Sequence, residues 1–294
     1  MTRPPTRDLR ARSVLAGEAS AAVAELEAAL ETPPVVHSAA FFDVDNTLLQ
    51  GASVFYLAKG LYRRKFFSRG EIAAKAWQQL RFRLAGETPQ SVANARASAL
   101  SFIAGHSVTE LRMLVEEIFD EGMADRIWPG TKALAQMHLD AGERVWLVTA
   151  APVEVAHLLA RRLGLTGALG TVAAEVEGVY TGELVGDILH GPAKAEAVRA
   201  LAAREGLDLA QCAAYSDSVN DLPLLELVGH PCAINPDGKL RRYAEVAGWR
   251  VRDYRTGRKA ARLGLLTAGA SGATLGAVSA AVALHRRASR RRVS

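Results

Sequence analysis

Two aspartates separated by one residue follow a short apolar run near the beginning of the chain. Asp43 and Asp45 come directly after residues 39–42, which have the composition of a strand buried on both faces. Because side chains alternate along an extended backbone, both carboxylates can point to the same side. Two acids held that close repel each other unless a cation neutralises them or one stays protonated. The pair fits either a catalytic metal site or a strand followed by an Asx turn.

Further polar residues stand where predicted strands end or a predicted helix begins. They are Thr149 after one strand, Lys194 inside a helix start, and Asp217, Asn220 and Asp221 after another strand. In isolation Thr149 is typical of a turn hydroxyl and Lys194 of a solvated lysine. In a parallel sheet, however, all these strand ends lie on one edge, where open α/β folds bind ligands.

This set of groups matches what the cleavage of a phosphate monoester requires. A carboxylate can attack phosphorus and split one difficult displacement into two easier ones. Mg²⁺ prefers hard oxygen ligands from a few carboxylates, water and the substrate phosphate. A hydroxyl and an ammonium can neutralise the phosphoryl oxygens, and a second acid can protonate the leaving alkoxide and later deprotonate water.

The predicted elements that position these residues alternate between strand and helix from residue 128 onward. Predicted helices cover 131–141, 152–163, 192–205, 221–228 and 239–247, and predicted strands cover 144–149, 172–184, 212–216, 232–234 and 249–251. Such alternation indicates βαβ units and a mostly parallel sheet. Residues 53–127 instead show only helical periodicity, which predicts an insert of about four helices within one α/β domain.

Four of these segments, in this order, resemble the motifs of the haloacid dehalogenase (HAD) superfamily. They are Asp-Val-Asp-Asn-Thr from Asp43, Val-Thr-Ala-Ala around Thr149, the single Lys194, and Ser-Asp-Ser-Val-Asn-Asp from Ser216. The helical insert is similar to the cap of the phosphoserine-phosphatase-like subfamily IB. The resemblance covers roughly residues 37–255. It implies a three-layer α/β/α Rossmann-like core with a parallel sheet and an inserted all-helical cap.

The resemblance also implies catalytic and metal-binding roles. Asp43 would be the nucleophile and a Mg²⁺ ligand, and Asp45 the acid/base with its backbone carbonyl on the metal. Asp217 would be a direct metal ligand. Phosphatases and phosphotransferases of this superfamily carry the second aspartate, whereas its dehalogenases lack it. The presence of Asp45 therefore disfavours carbon–halogen chemistry.

The remaining motif residues are implied to hold the phosphoryl group. Thr149 and Lys194 would bind the phosphate, and Asn220 would reach the phosphate or the metal-bound waters. Asp221 would act behind them, orienting a metal-bound water and Lys194. Arg96 in the insert could pair with a carboxylate or a second phosphate of the substrate, or it could be a solvated helix arginine.

The amino group of phosphoserine has no evident counter-charge in this sequence. Phosphoserine phosphatases carry a Glu nine residues after the nucleophile, and here that position is Ala52, with no acid between Asp45 and Glu71. Burying an ammonium without a counter-charge is costly. We therefore expect a different phosphomonoester, a small phosphorylated metabolite or a lysophospholipid. Phosphoserine phosphatase, phosphotransferase and a membrane-tethering module on an inactive scaffold remain as alternatives.

The net charge of +5 is unevenly distributed along the chain. Residues 250–294 carry eleven Lys or Arg and one Asp, a balance of +10, so the rest of the chain is at −5. The net positive charge therefore belongs to the tail and is not spread over the body, which argues against nucleic acid as a partner. Within that tail, residues 263–284 lack any charge and are long enough to cross or lie on an anionic membrane as a helix.

The chain is thus expected to have four parts. Residues 1–36 form an N-terminal extension, without structure over 1–12 and with an accessory helix from 14 to 30. The catalytic core comprises 37–52 and 128–254, the cap is 53–127, and the tail is 255–294. The N terminus lacks an apolar signal core, and both cysteines fit reduced core positions. We therefore expect a cytoplasmic body, held at the membrane by the tail.

Overall fold

The computed structural model describes residues 6–28, 37–66 and 103–255. The strands are β1 Ala39–Phe42, β2 Arg144–Pro152, β3 Gly167–Thr171, β4 Ala173–Val176, β5 Val179–Leu184, β6 Ala213–Ser216, β7 His230–Ile234 and β8 Arg250–Arg252. Six of them form one parallel sheet in the order β3-β2-β1-β6-β7-β8, and β4 pairs with β5 in an antiparallel hairpin.

The helices within the described ranges are α1 Thr6–Ala28, α2 Ser53–Arg63, α3 Val108–Gly122, α4 Pro129–Asp140, α5 Val153–Leu163, α6 Pro192–Glu205, α7 Leu222–Leu225 and α8 Gly238–Val246. Short 3₁₀ turns cover Ala124–Arg126, Leu209–Gln211 and Val219–Asp221. Most boundaries fall within a few residues of those predicted from the sequence.

Helices cover both faces of the sheet. One face carries Phe41 and Trp146, which form a buried core with residues of α1, α6, α7 and α8. The other face carries Phe42, whose ring meets His138 of α4, and on the same side His157 of α5 reaches the carbonyl of Ala168. The predicted three-layer α/β/α arrangement with a parallel sheet is thereby confirmed.

Helix α1 lies on α6 and begins earlier than predicted. The close approach depends on Gly17, where an added Cβ would stand 2.7 Å from the backbone nitrogen of Ala197. The helix starts at Thr6, so the prediction that residues 1–12 lack structure is wrong for residues 6–12. Residues 6–12 contain three Arg, one Leu and one Ala and no Gly or Pro, so they extend toward the N terminus the helix that packs on α6.

The insert is described at its two ends, by α2 and α3. Residues 67–102, including Arg96, lie outside the described residues. The ion pairs Arg161–Glu116 and Arg162–Asp120 join α5 to α3. The β4–β5 hairpin adds backbone bonds, because Gly105 N donates to Tyr180 O at 2.8 Å and Tyr180 N donates to His106 O at 3.0 Å.

The two chain segments that lead into and out of the insert pair with each other. Leu49 and Ile127 form an antiparallel bridge. On either side of it, Trp128 N donates to Leu48 O and Gln50 N donates to Arg126 O, both at 2.8 Å. The insert therefore enters and leaves the core at one point.

The chain divides into two compact units, Met1–Arg252 and Asp253–Ser294. In the second unit Asp253 accepts hydrogen bonds from the backbone and side chain of Arg255, and the predicted membrane segment 263–284 lies outside the described residues. Among the described helices, none has the length and apolar character needed to cross a bilayer. Cys212 and Cys232 are free thiols and buried.

Candidate active site

Lys194 lies between two buried carboxylates at the carboxyl edge of the sheet. Its Nζ donates to Asp43 Oδ1 at 2.6 Å and to Asp221 Oδ2 at 2.7 Å. All three side chains are at most 7% exposed. Asp43 lies 151 positions from Lys194 in the sequence, and Asp221 lies 27 positions from it. The three residues thus form one ionic cluster.

Strand pairing and a helix start bring these residues together. Phe42 pairs with Tyr215 in the sheet, and the next amide, of Asp43, donates to the Tyr215 carbonyl at 2.9 Å. This register sets Asp43 beside the residues that follow β6. Lys194 lies in the first turn of α6, which begins with Pro192 after Gly191 at φ 56°. The helix start points the lysine at the strand ends.

Asp45 connects the strand end to the insert. Its Oδ1 accepts from the backbone amide of Ser53, the first residue of α2, at 2.8 Å. Asn46 then adopts φ 59°, a conformation that asparagine tolerates better than most residues. The carbonyl of Asn46 is held by the side-chain amide of Asn235 at 3.0 Å. The first motif is therefore fixed from both the core and the insert.

Thr149 and Asn220 make only local hydrogen bonds in the described structure. Thr149 Oγ1 accepts from the Ala151 amide at 3.1 Å, inside β2 rather than at its end, since β2 runs on to Pro152. The pairing of Phe42 with Leu147 nevertheless sets Thr149 level with the Asp43–Asp45 turn. Asn220 is exposed and its amide donates to Ser218 Oγ.

Sequence reasoning missed two residues that hold the last motif. Ser216 Oγ donates to Asp221 Oδ2 at 2.7 Å. Asp237 accepts from Val219 N at 2.9 Å through one carboxylate oxygen and caps α8 through the other, while its own amide donates to Asp217 O. The signal for Asp237 was its place just before a helix as an N-cap acid.

The cluster carries more negative charge than one ammonium can balance. Burial raises the pKa of Asp43 to about 7, and the carboxylates of Asp221 and Asp217 add to the rise against the opposing effect of Lys194. Burial, followed by the Asp221 charge, also raises the pKa of Asp217 to about 7. Burial would lower the pKa of Lys194, but Asp43 and Asp221 together raise it. Three acids thus face one cation.

The oxygen-rich donor set fits a hard divalent cation. Among the described residues, no three His, Cys, Asp or Glu side chains are grouped as a ready-made metal site. The ligand set implied by the motifs does not need three, because it combines the carboxylates of Asp43 and Asp217 with the backbone carbonyl of Asp45. Burial first and neighbouring carboxylates second raise the pKa values of Asp43 and Asp217, and a cation held by both carboxylates would favour their ionised forms.

The motif order, the cap position and this cluster agree with one family. The model of the haloacid dehalogenase-like hydrolases matches residues 40–226 of the chain. The chain belongs to this family. Phosphoserine phosphatase SerB1 of Mycobacterium tuberculosis is 56% identical over 250 residues, which cover 84% of this chain and 81% of that protein. The HAD-family protein described here is therefore a phosphatase-type hydrolase.

Two more distant relatives extend the comparison. A histidinol-phosphatase of Neisseria meningitidis is 28% identical, with 74% of this chain and 98% of that protein covered. A Bordetella pertussis protein of unknown function, known as a crystal structure, is 32% identical with a TM-score of 0.65 and covers 74% of this chain and 99% of that one. The two relatives compared by sequence are thus named after different phosphomonoesters, and the Bordetella structure shares the fold.

Proposed function

We propose that this HAD-family protein is a Mg²⁺-dependent phosphomonoester hydrolase that acts through an aspartyl-phosphate on Asp43. The observation that carries the proposal is the buried Lys194 between Asp43 and Asp221. A lysine in this place neutralises a phosphoryl oxygen next to the nucleophile and favours the ionised form of that nucleophile against the effect of burial. The substrate is a small phosphorylated metabolite or a lysophospholipid.

In the first half-reaction Asp43 attacks phosphorus and the substrate oxygen leaves. The bond from phosphorus to the leaving oxygen breaks as the bond to an Asp43 carboxylate oxygen forms, and Asp45 gives its proton to the departing alkoxide. Lys194, Thr149 and Asn220 hold the phosphoryl oxygens. Asp43, Asp217 and the Asp45 carbonyl would hold Mg²⁺, which supplies charge neutralisation and in-line orientation.

In the second half-reaction water attacks the acyl phosphate. Asp45, now ionised, removes a proton from that water, and the bond between Asp43 and phosphorus breaks to release phosphate. The hydrogen bond from Ser53 N to Asp45 Oδ1 makes the position of this acid/base depend on the start of the insert. If an alcohol replaces water, the same groups perform phosphotransfer.

Phosphate release from p-nitrophenyl phosphate tests the proposal directly. We expect turnover with Mg²⁺, none in chelator, and inhibition by Ca²⁺, because Ca²⁺ takes more ligands at longer distances and disturbs the in-line geometry. Added glycerol tests for transfer, since a phosphotransferase would form glycerol phosphate in place of free phosphate. An inactive scaffold would release nothing under any condition, and full activity in chelator would remove the metal from the proposal.

Mg²⁺ binding is expected to release protons near pH 6. Because the pKa values of Asp43 and Asp217 lie at about 7, both carboxyls bind protons below that pH, and a metal must displace them. Affinity for Mg²⁺ should therefore rise between pH 5 and pH 8. Calorimetry at pH 6 in two buffers of different ionisation enthalpy measures the proton count. Identical heats in both buffers would contradict the assignment of these two ligands, and Asp217→Asn should reduce the release.

L-phosphoserine is expected to be a poor substrate. Ala52 is the residue before α2, and its side chain makes no hydrogen bond. Phosphoserine phosphatases have at this position the acid that contacts the amino group of the substrate. The SerB1 relative is named as a phosphoserine phosphatase, so a comparison of substrates distinguishes the two assignments. Specificity constants should be measured for L-phosphoserine, histidinol phosphate and a lysophosphatidate. A value for L-phosphoserine well above all others would establish the alternative.

The basic tail is expected to bind anionic membranes peripherally. Arg258, Lys259 and Arg262 precede the uncharged residues 263–284, and five arginines follow them. Each near-surface cation contributes about 1 kcal/mol with anionic lipid. Full-length protein should float with anionic liposomes, whereas a chain ending at Tyr254 should stay behind and keep its activity. Equal flotation of the full-length and truncated proteins would contradict membrane binding by the tail. Full-length protein that stays with the liposomes at high salt would indicate insertion into the bilayer.

A further inference from the structure

A groove of about 460 Å³ lies on the sheet face that carries Tyr215, beside the C-terminal end of α4. Its walls include residues that precede strands, namely Gln211 before β6, Gly229 before β7 and Gly248 before β8. The groove therefore reaches the edge of the sheet opposite to Asp43. Its volume is that of a site for a small organic molecule.

Two arginines line one wall. Arg250 and Arg252 are two residues apart in β8, so they project from the same face of the sheet with Cα atoms about 7 Å apart. Both residues are exposed, and the side chain of Arg252 also hydrogen-bonds with that of Cys232. Two guanidinium groups at this spacing present a row of donors that suits a carboxylate.

The other wall is a hydrogen-bonded chain of Tyr215, His138 and Glu143. The Glu143 carboxylate accepts from Nδ1 of His138, and its other oxygen accepts from Ser38 Oγ at 2.8 Å. In the tautomer that donates from Nδ1 to Glu143, Nε2 of His138 accepts a hydrogen bond from the Tyr215 hydroxyl, 2.7 Å away. The Tyr215 oxygen is thus left as a hydrogen-bond acceptor towards the groove.

Strand register sets the distance between these two walls. Tyr215 pairs with Cys232, which pairs with Arg250, so the acceptor and the first arginine are two strand spacings apart, about 10 Å between Cα atoms. Pro231, Cys232 and Trp249 also line the groove. The side chain of Cys232, level with both in the strand register, lies between the acceptor and the cations.

We propose that this groove binds a small planar carboxylate that carries a hydrogen-bond donor at its far end. The carboxylate lies between Arg250 and Arg252, the flat body covers Cys232, and the distal donor binds the Tyr215 oxygen. The site is separate from the phosphatase centre. Tyr215 nevertheless links the two, because its carbonyl accepts the Asp43 amide.

Calorimetric titration with 4-hydroxybenzoate as the probe tests the site, with saturating inorganic phosphate and Mg²⁺ present to occupy the catalytic centre. We expect one saturable event per chain, weakened at least tenfold in the double variant Arg250→Gln, Arg252→Gln, because two charge-assisted contacts are lost. The matched control Arg242→Gln, an exposed arginine of α8, should bind as the wild type does. Turnover of p-nitrophenyl phosphate should be unchanged in both variants, which reports on folding.

Comparison with benzoate tests the far end of the groove. The wild type should prefer 4-hydroxybenzoate, and Tyr215→Phe, which keeps the ring stacked on Phe42, should bind both compounds equally. Absence of saturable binding into the millimolar range would overturn the proposal. So would equal affinity in the double arginine variant, since the probe would then bind elsewhere.

Discussion

Asp43→Asn is expected to abolish turnover of p-nitrophenyl phosphate, with a loss of about a thousandfold or more. Asparagine keeps the shape of the side chain and still accepts from Lys194 Nζ, now 2.6 Å from Asp43 Oδ1. It cannot act as a nucleophile and is a poor metal ligand. The matched control Asp140→Asn alters an exposed acid of α4 and should leave turnover intact. Retention of more than a few per cent of activity would refute the covalent mechanism.

The same variant has a second signature in the metal-free protein. The pKa of Asp43 is raised to about 7 by burial, above its unfolded value of about 4. Between those pH values the unfolded chain binds fewer protons than the folded one, so this group makes stability fall as pH rises from 4 to 7. Urea unfolding at several pH values should show a shallower fall in Asp43→Asn. Acid-quenched mass spectrometry of wild type should also find phosphate on the Asp43 peptide, absent from the variant.

Lys194→Met is expected to lower the free energy of unfolding by about 3–5 kcal/mol at pH 8. Methionine retains much of the volume but leaves Asp43 and Asp221 buried side by side without a cation. Turnover should fall by about a hundredfold or more, because a phosphate contact is lost as well. Lys132→Met, which changes an exposed lysine of α4, should alter stability by no more than about 0.5 kcal/mol.

The pH dependence separates lost charge pairing from lost packing in this variant. Lys194 opposes the rise in the pKa of Asp43, so without the ammonium this pKa rises further and protonation of Asp43 relieves the repulsion as pH falls. The stability difference between wild type and Lys194→Met should therefore shrink from pH 8 to pH 5 in urea unfolding. A difference of the same size at both pH values would show that packing, and not the ion pairs, accounts for the loss.

The parts of the fold that were predictable carry strong local signals. Helix α6 was predicted over residues 192–205 as observed, since Pro192 can start a helix and Gly206, at φ 64°, can end one. Strand β3, Gly167–Thr171, was missed. It contains Gly, Ala, Leu and Thr without the branched or aromatic run of a typical strand. Its place is set by its neighbours, since Gly167 makes room for the ring of Trp146.

The candidate site, too, has parts that were predictable from the sequence and parts that depend on the fold. Motif spacing was enough to select Asp43, Lys194 and Asp221, which the structure brings into contact. It could not give the hydrogen bonds that fix the loops, because those of Ser216 and Asp237 depend on the fold of the turn after β6. The function of Arg96 stays a prediction, because that residue lies outside the described ranges.

The antiparallel pairing of Leu49 with Ile127 has a consequence for how such proteins diversify. The chain segments that lead into and out of the insert are hydrogen-bonded to each other at the core. The two ends of the insert are therefore held together whatever the insert contains. Segments of different length could be exchanged there without moving the strand that bears Asp43, since closely spaced ends favour domain insertion. Evolution can thus replace the insert while the phosphate chemistry of the core stays the same. An engineer could graft a foreign loop between Leu49 and Ile127 in the same way.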